Sequence, residues 1–164
     1  MSIELSFATR IAAPELAVVD EFTRSAPVAI GALAKALGLK VVLATLPLSI
    51  SGMIKPSEDE EGFVIKVNRF EPKERQRFTI AHEIAHFLLH KSLIQKGVVD
   101  STLYRSKLSS RTEAEANRLA ADILMPRPLV NQALREVPTF VDDVDAYLAE
   151  KFNVSRSAMD IRTG

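Results

Sequence analysis

Phe78-Thr79-Ile80-Ala81-His82-Glu83-Ile84-Ala85-His86-Phe87-Leu88-Leu89-His90 holds all three histidines of the chain. The spacing His82-Glu83-x-x-His86 lies in an apolar run whose pattern predicts a helix. Residues four apart on a helix stack on one face, about 6 Å apart along the axis. His82 and His86 can therefore aim two imidazoles at one ion. Glu83 is turned roughly 100° from His82, so it flanks such an ion without having to ligate it. Two neutral nitrogen donors beside a carboxylate that can take a proton from activated water is the arrangement a zinc hydrolase needs. The stripe Phe78, Ala81, Ala85, Leu88 and Leu89 predicts a half-buried helix, and small Ala85 between the histidines admits a close neighbour.

Glu71-Pro72 is the predicted start of this helix, which is expected to run to about Lys91 or Leu93. His90 follows His82 by eight residues and has drifted roughly 80° around the helix. It is read as a helix C-terminal residue, hydrogen-bonding or favouring the dipole, rather than a third ligand. Upstream, residues 39–45, 48–55 and 63–67 read as three strands, the last two joined by an acidic, turn-rich link over 56–62. Two short helices precede them, over 14–24 and from about Pro27 to Gly38. Downstream, residues 97–109 have little periodicity and are expected to form a loop near the site. A second strong helix spans 110–125 and is stopped by Pro126. Helices over 128–136 and 140–151 follow, and Ser155 is a candidate cap for a last short one. There are no repeats and no linker long enough to divide the chain. The expectation is α+β: one domain over 1–164, a minimal zincin-like core with helices on a small antiparallel sheet of about three strands. The helices over about 126–162 pack on that core or are appended to it.

Two histidines leave a catalytic metal one protein ligand short. Leu89 and Ser92 stand where a metzincin continuation needs Gly and His, which excludes that class. With no further histidine and no cysteine, the third ligand is expected to be a carboxylate, from Asp100, Glu113, Glu115 or Asp122. Glu113 is favoured, because it shares a helix face with Asn117, four residues on. Ala116, Ala120 and Ala121 make that helix slim enough to approach the first. Asn117 is then the candidate to hydrogen-bond a ligand histidine from behind. Glu113 also fits a capping box with Ser110, and Glu115 fits one with Thr112.

Composition narrows the function classes. The chain has 164 residues, 47% hydrophobic and 26% charged, as an ordinary globular domain does. Its 21 basic and 21 acidic side chains cancel, which speaks against a strongly basic nucleic-acid binder. Absence of cysteine excludes disulfides, thiolate zinc sites and cysteine nucleophiles. Residues 1–19 lack a basic n-region, and the longest apolar stretch, 41–54, is too short to span a bilayer and holds Pro47 and Gly52. The expected location is cytoplasmic, with no membrane and no direct nucleic-acid contact.

Arg75-x-Arg77-Phe78-Thr79-x-Ala81-His82-Glu83-x-x-His86-x-x-Leu89-His90, followed by Glu113-x-x-Ala116-Asn117-x-x-Ala120-Ala121-x-x-Leu124-Met125-Pro126, resembles the ImmA/IrrE metallopeptidases. The similarity extends from about Pro27, through Ile65-x-x-Asn68, to Val154-Ser155-x-x-Ala158-Met159. Many members have Gly where this chain has Ala85; both are small. The resemblance implies a minimal zincin, with Zn2+ on His82, His86 and Glu113 and with Glu83 as catalytic base. It also implies a protein substrate, a helix-turn-helix repressor of the Xre type that is cleaved and inactivated. The alternative is a non-proteolytic partner of a repressor or antitoxin in a toxin–antitoxin-like pair. The oxyanion would need one more donor, for which Tyr104, Arg105 and Arg111 are candidates and Tyr104 the first choice. The substrate segment is expected to extend along an edge strand among residues 48–67.

Overall fold

Strand β3 (Phe63–Asn68) is the middle of a three-stranded sheet in the computed structural model, which describes residues 2–96 and 110–164. Its alternate residues Ile65 and Val67 are fully buried on one face, as the two-residue period of a strand requires. On one side β2 (Gly52–Pro56) pairs antiparallel with β3, with Ile54 opposite Ile65. The acidic link between them turns at Gly62, whose φ of +99° suits glycine, and the Ser57 amide donates to the Gly62 carbonyl at 2.9 Å. On the other side β1 (Lys40–Ala44) pairs parallel with β3, with Val41 opposite Ile65. The order is β1-β3-β2, so the sheet is mixed and not antiparallel throughout. The cause is the connection over 45–51. It carries the chain to the far edge, β2 runs back, and β3 re-enters between them in the direction of β1.

Asn68 explains why the second strand begins at Gly52 and not near residue 48. Its side-chain amide is fully buried and donates to the carbonyls of Leu46, Pro47 and Ile50 at 3.2, 3.1 and 2.9 Å. Its oxygen accepts from the Phe70 amide at 3.1 Å. Residues 46–50 are thus turned around one side chain instead of extended. Asn68→Ala would strand several acceptors and is expected to lower stability by about 1–3 kcal/mol. A urea midpoint equal to wild type would show that water replaces the amide.

Helix α4 (Lys73–Leu89) starts after Pro72, whose ring suits a helix start, and lies against β2 and β3. Gln76 fixes the entry by donating to the carbonyls of Asn68, Arg69 and Glu71 at 3.3, 3.2 and 3.0 Å. Arg77 reaches the other way, to the carbonyls of Val28 and Asn153 at 2.9 and 3.0 Å. Gly52 is where the edge strand meets the helix. A Cβ there would stand 2.5 Å from Thr79 Cγ2 and 2.6 Å from the Lys66 carbonyl oxygen. Only glycine lets β2 come this close.

Helix α6 (Ser110–Leu124) packs along α4. Ala81 and Ala85 on one helix and Ala116 and Ala120 on the other are all fully buried, as a close helix pair needs. Four further helices complete the N-terminal side and the bend after α4: α1 (Leu5–Ala8), α2 (Ala13–Phe22), α3 (Ile30–Ala36) and α5 (Lys91–Gln95). After α6 come α7 (Arg127–Arg135), α8 (Val144–Phe152) and α9 (Arg156–Thr163). Asp143 caps α8 by accepting from the Ala146 amide at 3.0 Å, so that helix starts later than expected and leaves Phe140 exposed. Ser155 caps α9 as expected, accepting from the Ala158 amide at 3.1 Å. Phe7, Leu33, Ile54, Ile84, Leu119, Leu148, Phe152 and Met159 belong to one buried cluster that joins both ends of the chain to the sheet.

Candidate metal centre

His82 and His86 lie one turn apart on α4, with ring centroids 4.8 Å apart. Both are buried where the helix faces α6. Glu113, in the first turn of α6, gives one carboxylate oxygen to each ring. Oε2 is 3.3 Å from His82 Nε2, and Oε1 is 3.0 Å from His86 Nε2. One ligand atom from each of the three residues lies within 4.8 Å of the other two. Two imidazole nitrogens and a carboxylate oxygen, held on two packed helices, suit a borderline cation and leave room for a non-protein ligand. The three residues fit a metal ion on this observation. Glu83 is fully buried beside His82 and is not one of the three donors.

Behind His86 runs a polar chain that the sequence did not disclose. His86 Nδ1 lies 2.9 Å from His90 Nδ1, and His90 Nε2 lies 3.1 Å from Glu115 Oε1. Arg10 closes the chain, donating to both oxygens of Glu115 at 2.6 and 3.3 Å. The Arg10 guanidinium holds the Glu115 carboxyl down, from an ordinary 4.5 to about 2, although burial pulls the other way. Burial lowers His90 below its ordinary 6.5, outweighing the Glu115 carboxylate that would raise it. His90 does cap α4, its amide donating to the His86 carbonyl at 2.7 Å. Yet the helix stops at Leu89, short of the expected end, and α5 begins only after a break at His90. At that break His90 has φ −130° and ψ 33°, and its ring is buried. His90 is thus the hydrogen-bonding helix-end residue expected, outside the three donors, and one of its bonds is to a candidate ligand.

The other carboxylates weighed for the site have separate places. Glu115 belongs to the chain behind His86. Asp122 is buried away from the three donors, accepting from Arg162 at 2.9 Å and from the Glu4 amide at 2.9 Å. It ties the two ends of the chain together. Asn117 is exposed, and among the described residues it makes no hydrogen bond to either histidine. The partner behind His86 is His90. Arg111 points outward, its side chain 88% exposed and 3.9 Å from Glu115. Asp100, Tyr104 and Arg105 lie outside the described residues. Of the span 48–67, only β2 is a sheet edge, and it is the edge against which α4 lies. Among the described residues, no helix is long and apolar enough to cross a membrane.

Comparison with known proteins bears on these residues. The family description "IrrE N-terminal-like domain" matches residues 34–163. Metallopeptidase ImmA of Bacillus subtilis is 27% identical over 112 residues, which cover 68% of this chain and 62% of that protein. Radiation response metalloprotease IrrE of Deinococcus radiodurans is 36% identical over 101 residues, 61% of this chain and 30% of that protein. The chain therefore spans less than two thirds of either relative's length. A solved structure of a Mycobacterium tuberculosis transcriptional regulator superposes with a TM-score of 0.59 at 20% identity, covering 94% of this chain and 47% of that one. That last likeness is one of fold.

Proposed function

This chain belongs to the ImmA/IrrE family of metallopeptidases, and from that premise we propose that it is a zinc-dependent endopeptidase. The observation that carries the reading is the convergence of His82, His86 and Glu113 within 4.8 Å, with Glu83 buried next to the first of them. Zinc held by those three residues would supply Lewis acidity, which makes water a nucleophile near neutral pH and polarises a peptide carbonyl. Glu83 takes the proton of the attacking water and returns it to the departing amine nitrogen as the C–N bond breaks. The substrate segment adds along β2, the edge beside α4, where backbone hydrogen bonds hold it extended without demanding one sequence. Tyr104 stays our proposed donor to the oxyanion, and the expected location stays cytoplasmic.

The substrate we propose is a helix-turn-helix repressor of the Xre type, inactivated by a single cut. The test is to mix the purified chain with the helix-turn-helix protein encoded nearest to it and to follow the partner's size on a gel. Cleavage is expected in the zinc-loaded protein, is abolished by a chelator and returns on adding zinc. A full-length partner bound tightly under every condition would instead favour the toxin–antitoxin-like binder.

A further inference from the structure

The chain Arg10–Glu115–His90–His86 ends on one metal ligand and begins outside the residues that match the family, since Arg10 precedes residue 34. Its bonds have a fixed direction. A carboxylate only accepts, so Glu115, already gripped by Arg10, must receive a proton from His90 Nε2. A second proton on His90 would sit on Nδ1 and point at His86 Nδ1, which would leave the proton of His86 on Nε2, whereas the convergence of three donor atoms there asks for a lone pair on that nitrogen. A neutral ring with its proton on Nε2 offers a lone pair at Nδ1. That lone pair faces His86 Nδ1 across 2.9 Å, a distance at which two lone pairs or two N–H groups would repel. His86 must therefore donate from Nδ1, which leaves the lone pair of its Nε2 facing Glu113, where the three donors converge.

We propose that His90 and Glu115, steadied by Arg10, are positioning residues that fix His86 in the metal-binding tautomer. This rests on the reading of His82, His86 and Glu113 as metal ligands. Without the acceptor at His90, His86 can place its proton on Nε2 and hydrogen-bond Glu113 directly, which blocks two ligands at once. His90 follows His86 by four residues, so the two rings stand on one side at the end of α4. Outer partners of this kind are worth roughly 10- to 100-fold in metal affinity.

The experiment reads zinc affinity by competition with a chromophoric chelator, and ring tautomers by nitrogen-15 NMR of histidine-labelled, zinc-loaded protein. In wild type, His90 is expected to be neutral with its proton on Nε2, and His86 to show an exchange-protected Nδ1–H. His90→Leu keeps the bulk and removes the acceptor; zinc should bind about 10- to 100-fold more weakly. His90→Asn, whose Oδ1 stands near the place of Nδ1, should recover most of that loss, which a purely space-filling role would not require. If His90→Leu fails to fold, Glu115→Gln carries the same readouts, because an amide can donate as well as accept and releases His90 from one tautomer. Zinc bound as tightly in these variants as in wild type overturns the proposal, as does a wild-type His90 protonated on Nδ1. A wild type that takes up no zinc, or a Glu113→Ala that binds it normally, overturns the metal-centre reading and this inference with it.

Discussion

Glu83→Gln is expected to keep its zinc and its protein partner while losing cleavage by at least about 10²- to 10⁴-fold, the usual worth of general acid–base catalysis. The substitution preserves size and polarity at a fully buried position, so the helix pair around it has no cavity to collapse into. It removes only the capacity to accept and return a proton. Glu83 is not among the three converging donors, so metal content should be that of wild type. The same variant separates enzyme from binder. Co-expressed with the repressor, Glu83→Gln should leave the partner full length and its reporter gene silent. Derepression with the partner uncut would sink the peptidase reading, because a binder needs no base.

Removing a ligand is expected to act on the metal first. His82→Ala, His86→Ala and Glu113→Ala should each weaken zinc binding by more than the roughly 10- to 100-fold of an outer partner. Glu113→Ala is the most informative, because its carboxylate spans both rings at 3.0 and 3.3 Å. Metal that binds only the folded state stabilises it by mass action. Zinc should therefore raise the melting temperature of wild type, and a chelator should remove that increment. The three variants should melt alike with and without zinc. Full occupancy in Glu113→Ala together with loss in Asp100→Ala would reassign the third carboxylate to the segment before α6.

The HExxH helix, the presence of three strands and the nearness of Glu113 could be read from residue order, because each depends on local periodicity. Ala81, Ala85, Ala116 and Ala120 announce a close helix pair before any coordinate does. Four features were not legible, for physical reasons. Alternation in residues 40–44 says which face of a strand is buried but not which neighbour it pairs with, so the parallel β1–β3 ladder was missed. The bond between His90 and His86 is hidden when His90 is measured from His82, eight residues back, although it is only four from His86. Asn117 shares a helix face with Glu113, yet it is exposed, because four-residue spacing sets angle and not the distance to the opposite helix. Arg10 lies 105 residues from Glu115, with no local pattern to link them.

Asp122 carries two bonds of long reach along the chain. One of its oxygens accepts from the backbone of Glu4 and the other from Arg162, so a single carboxylate is shared by the opening turn and the closing helix. Coupling of this kind is reciprocal. Whatever frays the first turn leaves Asp122 less well held for Arg162, and whatever melts the last helix weakens the grip on Glu4. The first turn and the helix of Arg162 thus share part of their stability through Asp122. Arg10, a few residues beyond Glu4, reaches the partners of His86, so the order of the candidate metal site is linked to that of a segment distant along the chain.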